Sequence, residues 1–159
     1  MLTFSAAAIQ AMQAHAFSHY PGECCGLLFG TAANVVSRAL PLENLADKLH
    51  ALDPEENPRT SRDAYAFNEA KAARQVREGE ALGERWLGIF HSHIDCGAYF
   101  SSEDIRVAAP DGVPVYPTLF QTVIDCRQGR IIEARTFRWD GTAFVPVATH
   151  SEFATVFST

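Results

Sequence analysis

The chain has 159 residues, 47% of them apolar and 20% charged, and carries a formal net charge of −6. These are ordinary globular proportions, with enough chain for one domain, residues 1–159, built around a sizeable core. The acidic balance and the lack of a Lys/Arg run speak against nucleic acid as a partner, and no apolar run reaches the roughly eighteen residues that cross a bilayer. Met1 leads into a helical pattern without a basic segment, so no signal peptide is expected. Cys24, Cys25, Cys96 and Cys126 form neither a C-x-x-C pair nor a spaced framework, which suits reduced thiols in the cytoplasm.

Residues 5–19 are Ala-rich, with Ile9, Met12, Ala16 and Phe17 at helical spacing; Thr3 or Ser5 is the expected N-cap. Tyr20-Pro21-Gly22 ends this helix. Residues 23–30 read as a buried strand, and residues 34–42 as its partner after a short turn. Residues 43–62 are polar, with Pro54 and Pro58 and no periodicity, and read as one long loop. A short strand is expected at 64–67, then a helix capped by Asn68 and running to about Gly79, with Lys71, Arg74 and Arg77 on its solvated face. Residues 86–93 are a strand, 94–100 a loop, and 102–108 a short helix started by Ser101. Three further strands are expected at 119–126, 130–138 and 142–147, with hairpins at Gln128-Gly129 and Asp140-Gly141. The expected fold class is α/β.

The densest chemistry lies in His91-Ser92-His93, followed after seven residues by Ser101 and then by Asp104. Side chains at i and i+2 of a strand share a face, so His91 and His93 point together and Ser92 points away. Ser101 and Asp104 have the spacing of a capping box. Two imidazoles and one carboxylate give three metal donors and leave one corner of a zinc tetrahedron open, which is how catalytic rather than structural zinc sites are built. Such chemistry also needs a carboxylate to carry a proton. Glu23 is the best candidate, because it opens a buried strand where a lone carboxylate is costly. The Ser101 hydroxyl can both cap the helix and donate to a developing oxyanion.

Glu23 with residues 24–30 (CCGLLFG), residues 88–93 (GIFHSH) and residues 101–104 (SSED) together resemble the JAMM (MPN-type) zinc metallopeptidases, especially their small bacterial members. The resemblance implies one α/β/α domain with a curved mixed sheet flanked by helices, laid out like the cytidine deaminases. It implies one catalytic zinc on His91, His93 and Asp104, with Glu23 as general acid/base and Ser101 as oxyanion donor. The implied substrate is a peptide or isopeptide bond at the C-terminal tail of a ubiquitin-fold, sulfur-carrier-like protein with a Gly-Gly-type end. That tail is expected to lie beside a sheet edge, in a groove shaped by the 43–62 loop or by the second subunit of a homodimer. The sequence departs from the family pattern at Ile94 and Phe100, where proline is usual, and in holding Cys96 within the motif loop, where a thiolate has access to the open zinc position.

The competing reading is a non-catalytic binding or scaffold domain of the same fold, whose members lack ligand residues; here none is missing. A deaminase would need H-x-E with P-C-x-x-C, which this chain does not have. His15 and His19, four apart on the first helix, imitate a zinc pair but lack the glutamate that pattern requires at position 16, and are expected as a surface pair.

Overall fold

Ser5 starts the first helix: its side chain accepts the amide of Ala8 at 3.2 Å. In the computed structural model, which describes residues 1–155, the helix α1 (Ala6–His19) follows strand β1 (Thr3–Phe4). Ala8, Met12 and Ala16, spaced by four, form its buried stripe. The last four residues of the expected 1–159 domain lie outside the described residues.

The chain continues through β2 (Cys25–Gly30), β3 (Val35–Val36), β4 (Arg38–Leu42), α2 (Ala46–Leu52), α3 (Glu69–Ala81), β5 (Arg85–Ile94), α4 (Ser102–Ala108), β6 (Phe120–Arg127), β7 (Arg130–Trp139) and β8 (Phe144–His150). Six strands form one mixed sheet in the order β4-β2-β5-β6-β7-β8. Every neighbouring pair is antiparallel except β5 and β6. A parallel pair needs a crossover, and α4 lies in the crossover from β5 to β6. That connection brings the start of α4 back over the end of β5.

Both faces of the sheet are covered. Leu28, Phe90 and Ile124 face α1 with Met12 and Phe153, whereas Leu27, Phe29 and Ile89 face the other way, toward Ala72 of α3. Burial on both sides explains why β2 is an apolar run rather than an alternating strand. Each fully buried large side chain contributes about 1.5–3 kcal/mol. Gly26 lies where neighbours press in closest: a Cβ there would stand 2.3 Å from Leu40 O and 2.4 Å from the Phe90 ring.

The structure bears out the mixed α/β class, with local corrections. The long loop expected at 43–62 contains α2, and the strand expected at 64–67 is extended chain outside the sheet. Its partners explain this: Ala64 O and Ala66 N bond to the Asn44 side chain and Ala66 O accepts from Leu45 N, so it is tied to a loop and not to a ladder. The strand expected over 34–42 divides at Ser37, β3 pairing with β1 in a small separate sheet and β4 with β2. Among the described residues no helix is long and apolar enough to cross a membrane.

Candidate metal centre

Near its end β5 is buried on both faces, and alternation sorts its polar side chains. Ser92 points to one face, where its Oγ accepts the Cys24 amide at 2.8 Å. His91 and His93 point to the other, 0% and 3% exposed. Asp104 reaches them from the first turn of α4, as the crossover requires. Its Oδ1 lies 3.2 Å from His91 Nε2 and its Oδ2 3.0 Å from His93 Nε2. One donor atom from each residue falls within 4.8 Å of the others. These are the three residues that sequence spacing selected.

The hydrogen bonding of the trio fits a cation. His93 Nδ1–H donates to Gly97 O at 2.9 Å. A neutral imidazole has only one N–H, so its Nε2 then turns a lone pair toward Asp104 Oδ2. Two lone pairs at 3.0 Å repel unless a positive charge lies between them. His91 has no hydrogen-bond partner for either ring nitrogen among the described residues, with Nε2 out of line toward Asp104. Burial depresses the His91 pKa against the pull of Asp104, a shift toward the neutral form that ligates metal. A divalent ion held by His91 Nε2, His93 Nε2 and the Asp104 carboxylate would satisfy these three donors together, leaving His91 Nδ1 as the one ring nitrogen without a partner among the described residues.

Ser101 and Asp104 form the capping box that their spacing predicts. Burial alone would raise the Asp104 carboxyl, but in the metal-free chain His91 and His93, acting as proton donors, and the Ser101 amide override it and hold the group far below the usual carboxylate range. Asp104 is therefore an anion ready to ligate. The Ser101 Oγ uses a lone pair, not its proton, to accept from Asp104 N.

Glu23 is 4% exposed, and its Oε1 has no hydrogen-bond partner among the described residues. Cys25 pairs with His91, and Ser92 N donates to Cys24 O, so the register carried one step further sets Glu23 opposite His93. Opposed residues on neighbouring antiparallel strands share a face. Burial first, then the charges of Asp104 and Asp63, push its pKa up to about 9. Its backbone is held from both sides, the amide by Ser61 O at 2.6 Å and the carbonyl by Asn44 Nδ2 at 2.9 Å. The 43–62 segment thus anchors the residue.

Aromatic rings that the sequence did not single out wall the centre. Tyr65 stacks on His91, with centroids 4.4 Å apart and planes at 25°, and Tyr99 meets His93 edge-on at 4.8 Å. Phe100, noted as a departure from proline, packs against Phe137 and Phe144. Cys96 is exposed and outside the donor cluster, and burial of the thiol, opposed by a hydrogen bond with Tyr99, raises its pKa. His15 and His19 are not the expected surface pair. His15 is half-buried, its Nε2 3.0 Å from Cys25 O and 3.1 Å from Leu42 O, linking α1 to the sheet.

A mixed α/β fold with two strand histidines and a helix-cap aspartate converging on one point defines a class of metal-competent domain. The profile of the family described as prokaryotic homologs of the JAB domain matches residues 5–140, and the chain belongs to that family. Solved structures agree on the fold. A Desulfitobacterium hafniense protein solved in solution is 24% identical, with TM-score 0.65 over 93% of this chain and 92% of its own. A Salinibacter ruber protein is 20% identical, with TM-score 0.62 over 92% and 89%. A JAB1/MPN domain protein from Archaeoglobus fulgidus is 14% identical, with TM-score 0.52 over 92% and 94%. No curated protein sequence matches the chain.

Proposed function

We propose that the chain is a zinc-dependent metallopeptidase that hydrolyses a peptide or isopeptide bond at the C-terminal tail of a ubiquitin-fold, sulfur-carrier-like protein. The observation that carries this reading is Glu23, a buried carboxyl with an oxygen that has no partner among the described residues, on the same sheet face as a three-donor metal cluster. A purely structural metal site has no use for it. Two imidazoles and one carboxylate suit zinc, and three protein donors are the number found in catalytic zinc sites. When bound, the ion would supply Lewis-acid polarisation and acidify water near neutral pH.

The protein's own groups supply the rest. Glu23, whose carboxyl burial lifts far above the usual range in the metal-free chain and which a neighbouring cation would draw back down, takes a proton from the attacking water and delivers it to the leaving amine. The Ser101 hydroxyl, whose proton the helix cap leaves unused, donates to the carbonyl oxygen as negative charge gathers there. Asp104, locked by the capping box, keeps its carboxylate facing the histidines.

Mass spectrometry of a ubiquitin-fold carrier extended beyond its Gly-Gly end tests the proposal. The expected result is loss of the extension in the presence of zinc, none with a chelator, and at least a hundredfold slowing in Glu23→Gln. Undiminished cleavage by Glu23→Gln overturns it, and so does tight zinc binding with no cleavage of any such carrier, the outcome that a non-catalytic scaffold domain would give.

A further inference from the structure

The His93 ring takes its direction from a backbone carbonyl, since its Nδ1–H donates to Gly97 O. An acceptor of this kind orients a metal-binding imidazole, so whatever fixes Gly97 also fixes the ligand. Two residues before Gly97, Asp95 leaves β5 with φ at +59°, in the left-handed region that residues other than glycine rarely adopt. Backbone held there persists only where its surroundings fasten it. Asp95 is fastened at two points. Its amide donates to Cys126 O at 3.0 Å. Its carboxylate accepts from the Tyr20 hydroxyl, with Oδ1 at 3.1 Å and Oδ2 at 2.9 Å. Tyr20 closes α1, and its ring packs against the core cluster that α1 shares with the sheet. The hydroxyl is therefore presented by an anchored ring, 75 residues away in sequence from the turn it holds.

Ile94 stands directly before this turn, at a position where proline is usual in the family. A proline ring would restrict the chain as it leaves β5, and isoleucine does not. We propose that Tyr20 and Asp95 are positioning residues of the metal centre. Their hydrogen bond pins the left-handed turn, the turn presents Gly97 O to His93 Nδ1, and His93 Nε2 is thereby aimed at the ion. The clamp supplies from a side chain the restraint that Ile94 does not supply from the backbone. It requires that the trio bind zinc, as the functional reading holds; it does not require cleavage.

Three measurements on the full chain test this: competitive zinc titration, the visible spectrum of the cobalt-loaded protein, and the Tm of the metal-free protein. Tyr20→Phe removes only the hydroxyl. It is expected to weaken zinc binding about tenfold and to shift the cobalt bands, while the metal-free Tm stays within about 3 °C of the parent. Asp95→Gly suits the left-handed turn but cannot hold the hydroxyl, so it should lose as much zinc affinity, and adding Tyr20→Phe to it should cost nothing more. Asp95→Asn tolerates the same φ and keeps an acceptor, and should stay within about twofold of the parent. Parental zinc affinity in Tyr20→Phe overturns the clamp. Parental affinity in Asp95→Gly does so too, by assigning the turn to its backbone alone, as do additive losses in the double variant. A Tm lowered well beyond that margin, with weaker zinc binding but unchanged cobalt bands, also overturns it, by marking a general loss of stability. The expected pattern in a chain that cleaves no carrier would leave the clamp standing and remove the peptidase reading; carrier cleavage with zinc affinity indifferent to Tyr20→Phe would do the reverse. A parent that binds no zinc removes both.

Discussion

Ser101 and Asp104 cap one another: Ser101 Oγ accepts the Asp104 amide at 3.0 Å, and the Ser101 amide donates to Asp104 Oδ2 at 2.9 Å. The same Oδ2 lies 3.0 Å from His93 Nε2. The pair that starts α4 therefore also aims the third metal donor. Ser101→Ala should lower the stability of the metal-free protein by about 1 kcal/mol, and should weaken zinc binding by about tenfold. Ser101→Thr, which keeps the cap, should restore both. Denaturation without metal reads the first effect and zinc titration the second; parental zinc affinity in Ser101→Ala would uncouple the cap from the site.

Glu23 gives the metal-free protein a defined pH dependence. Its folded pKa of about 9 lies above the ordinary 4.5. Between these values the folded state holds a proton that the unfolded state has released, so stability falls as pH rises through that window. The limiting slope is about 1.4 kcal/mol per pH unit. Asp104, held low, works in the opposite sense and only below its ordinary 3.8, so it adds no slope there. Glu23→Gln should flatten the profile and exceed the parent in stability at pH 8 by on the order of 2 kcal/mol. Urea denaturation at pH 5 and pH 8, without metal, checks this. Parallel profiles for the two proteins would show that Glu23 is wetter than its burial implies.

The sheet and the donor trio were legible because each writes a strong local pattern: period-two alternation along β5, a helix cap at fixed spacing, apolar runs for strands buried on both faces. What was missed depends on contacts distant in sequence. The α2 helix has Leu45 at its N-cap, which offers no side-chain cap; the Asn44 side chain that accepts the Ala46 amide sits one residue further out, and Pro54 and Pro58 follow, so the helix start carries no regular capping pattern. His15 reads as half of a surface pair until the carbonyls of Cys25 and Leu42 are brought to it by the sheet.

Tyr65 belongs with these, since only the fold lays it on His91. A ring stacked at 4.4 Å fixes the plane of the imidazole and so the direction of its lone pair. Tyr65→Ala should weaken zinc binding about tenfold, whereas Tyr65→Phe, which keeps the stack, should stay within about twofold of the parent. Competition against a chromophoric chelator measures both. Equal losses in the two variants would assign the effect to the hydroxyl instead of the ring.

Cys96 tests whether three donors are the whole set. It lies in the loop between His93 and Ser101, close enough in sequence to serve as a fourth ligand, yet it is exposed and apart from the cluster. If the trio is complete, Cys96→Ser should bind zinc within about twofold of the parent, and His93→Ala should lose it by several orders of magnitude. Thermal stability should follow, because zinc at a thousand times its Kd adds about 4 kcal/mol to a protein that binds it only when folded. A chelator should then remove the same increment of Tm from the parent and from Cys96→Ser, and none from His93→Ala. Collapse of zinc affinity in Cys96→Ser would mean that the thiolate closes the fourth corner, and a centre closed by four protein ligands has no open position for a substrate.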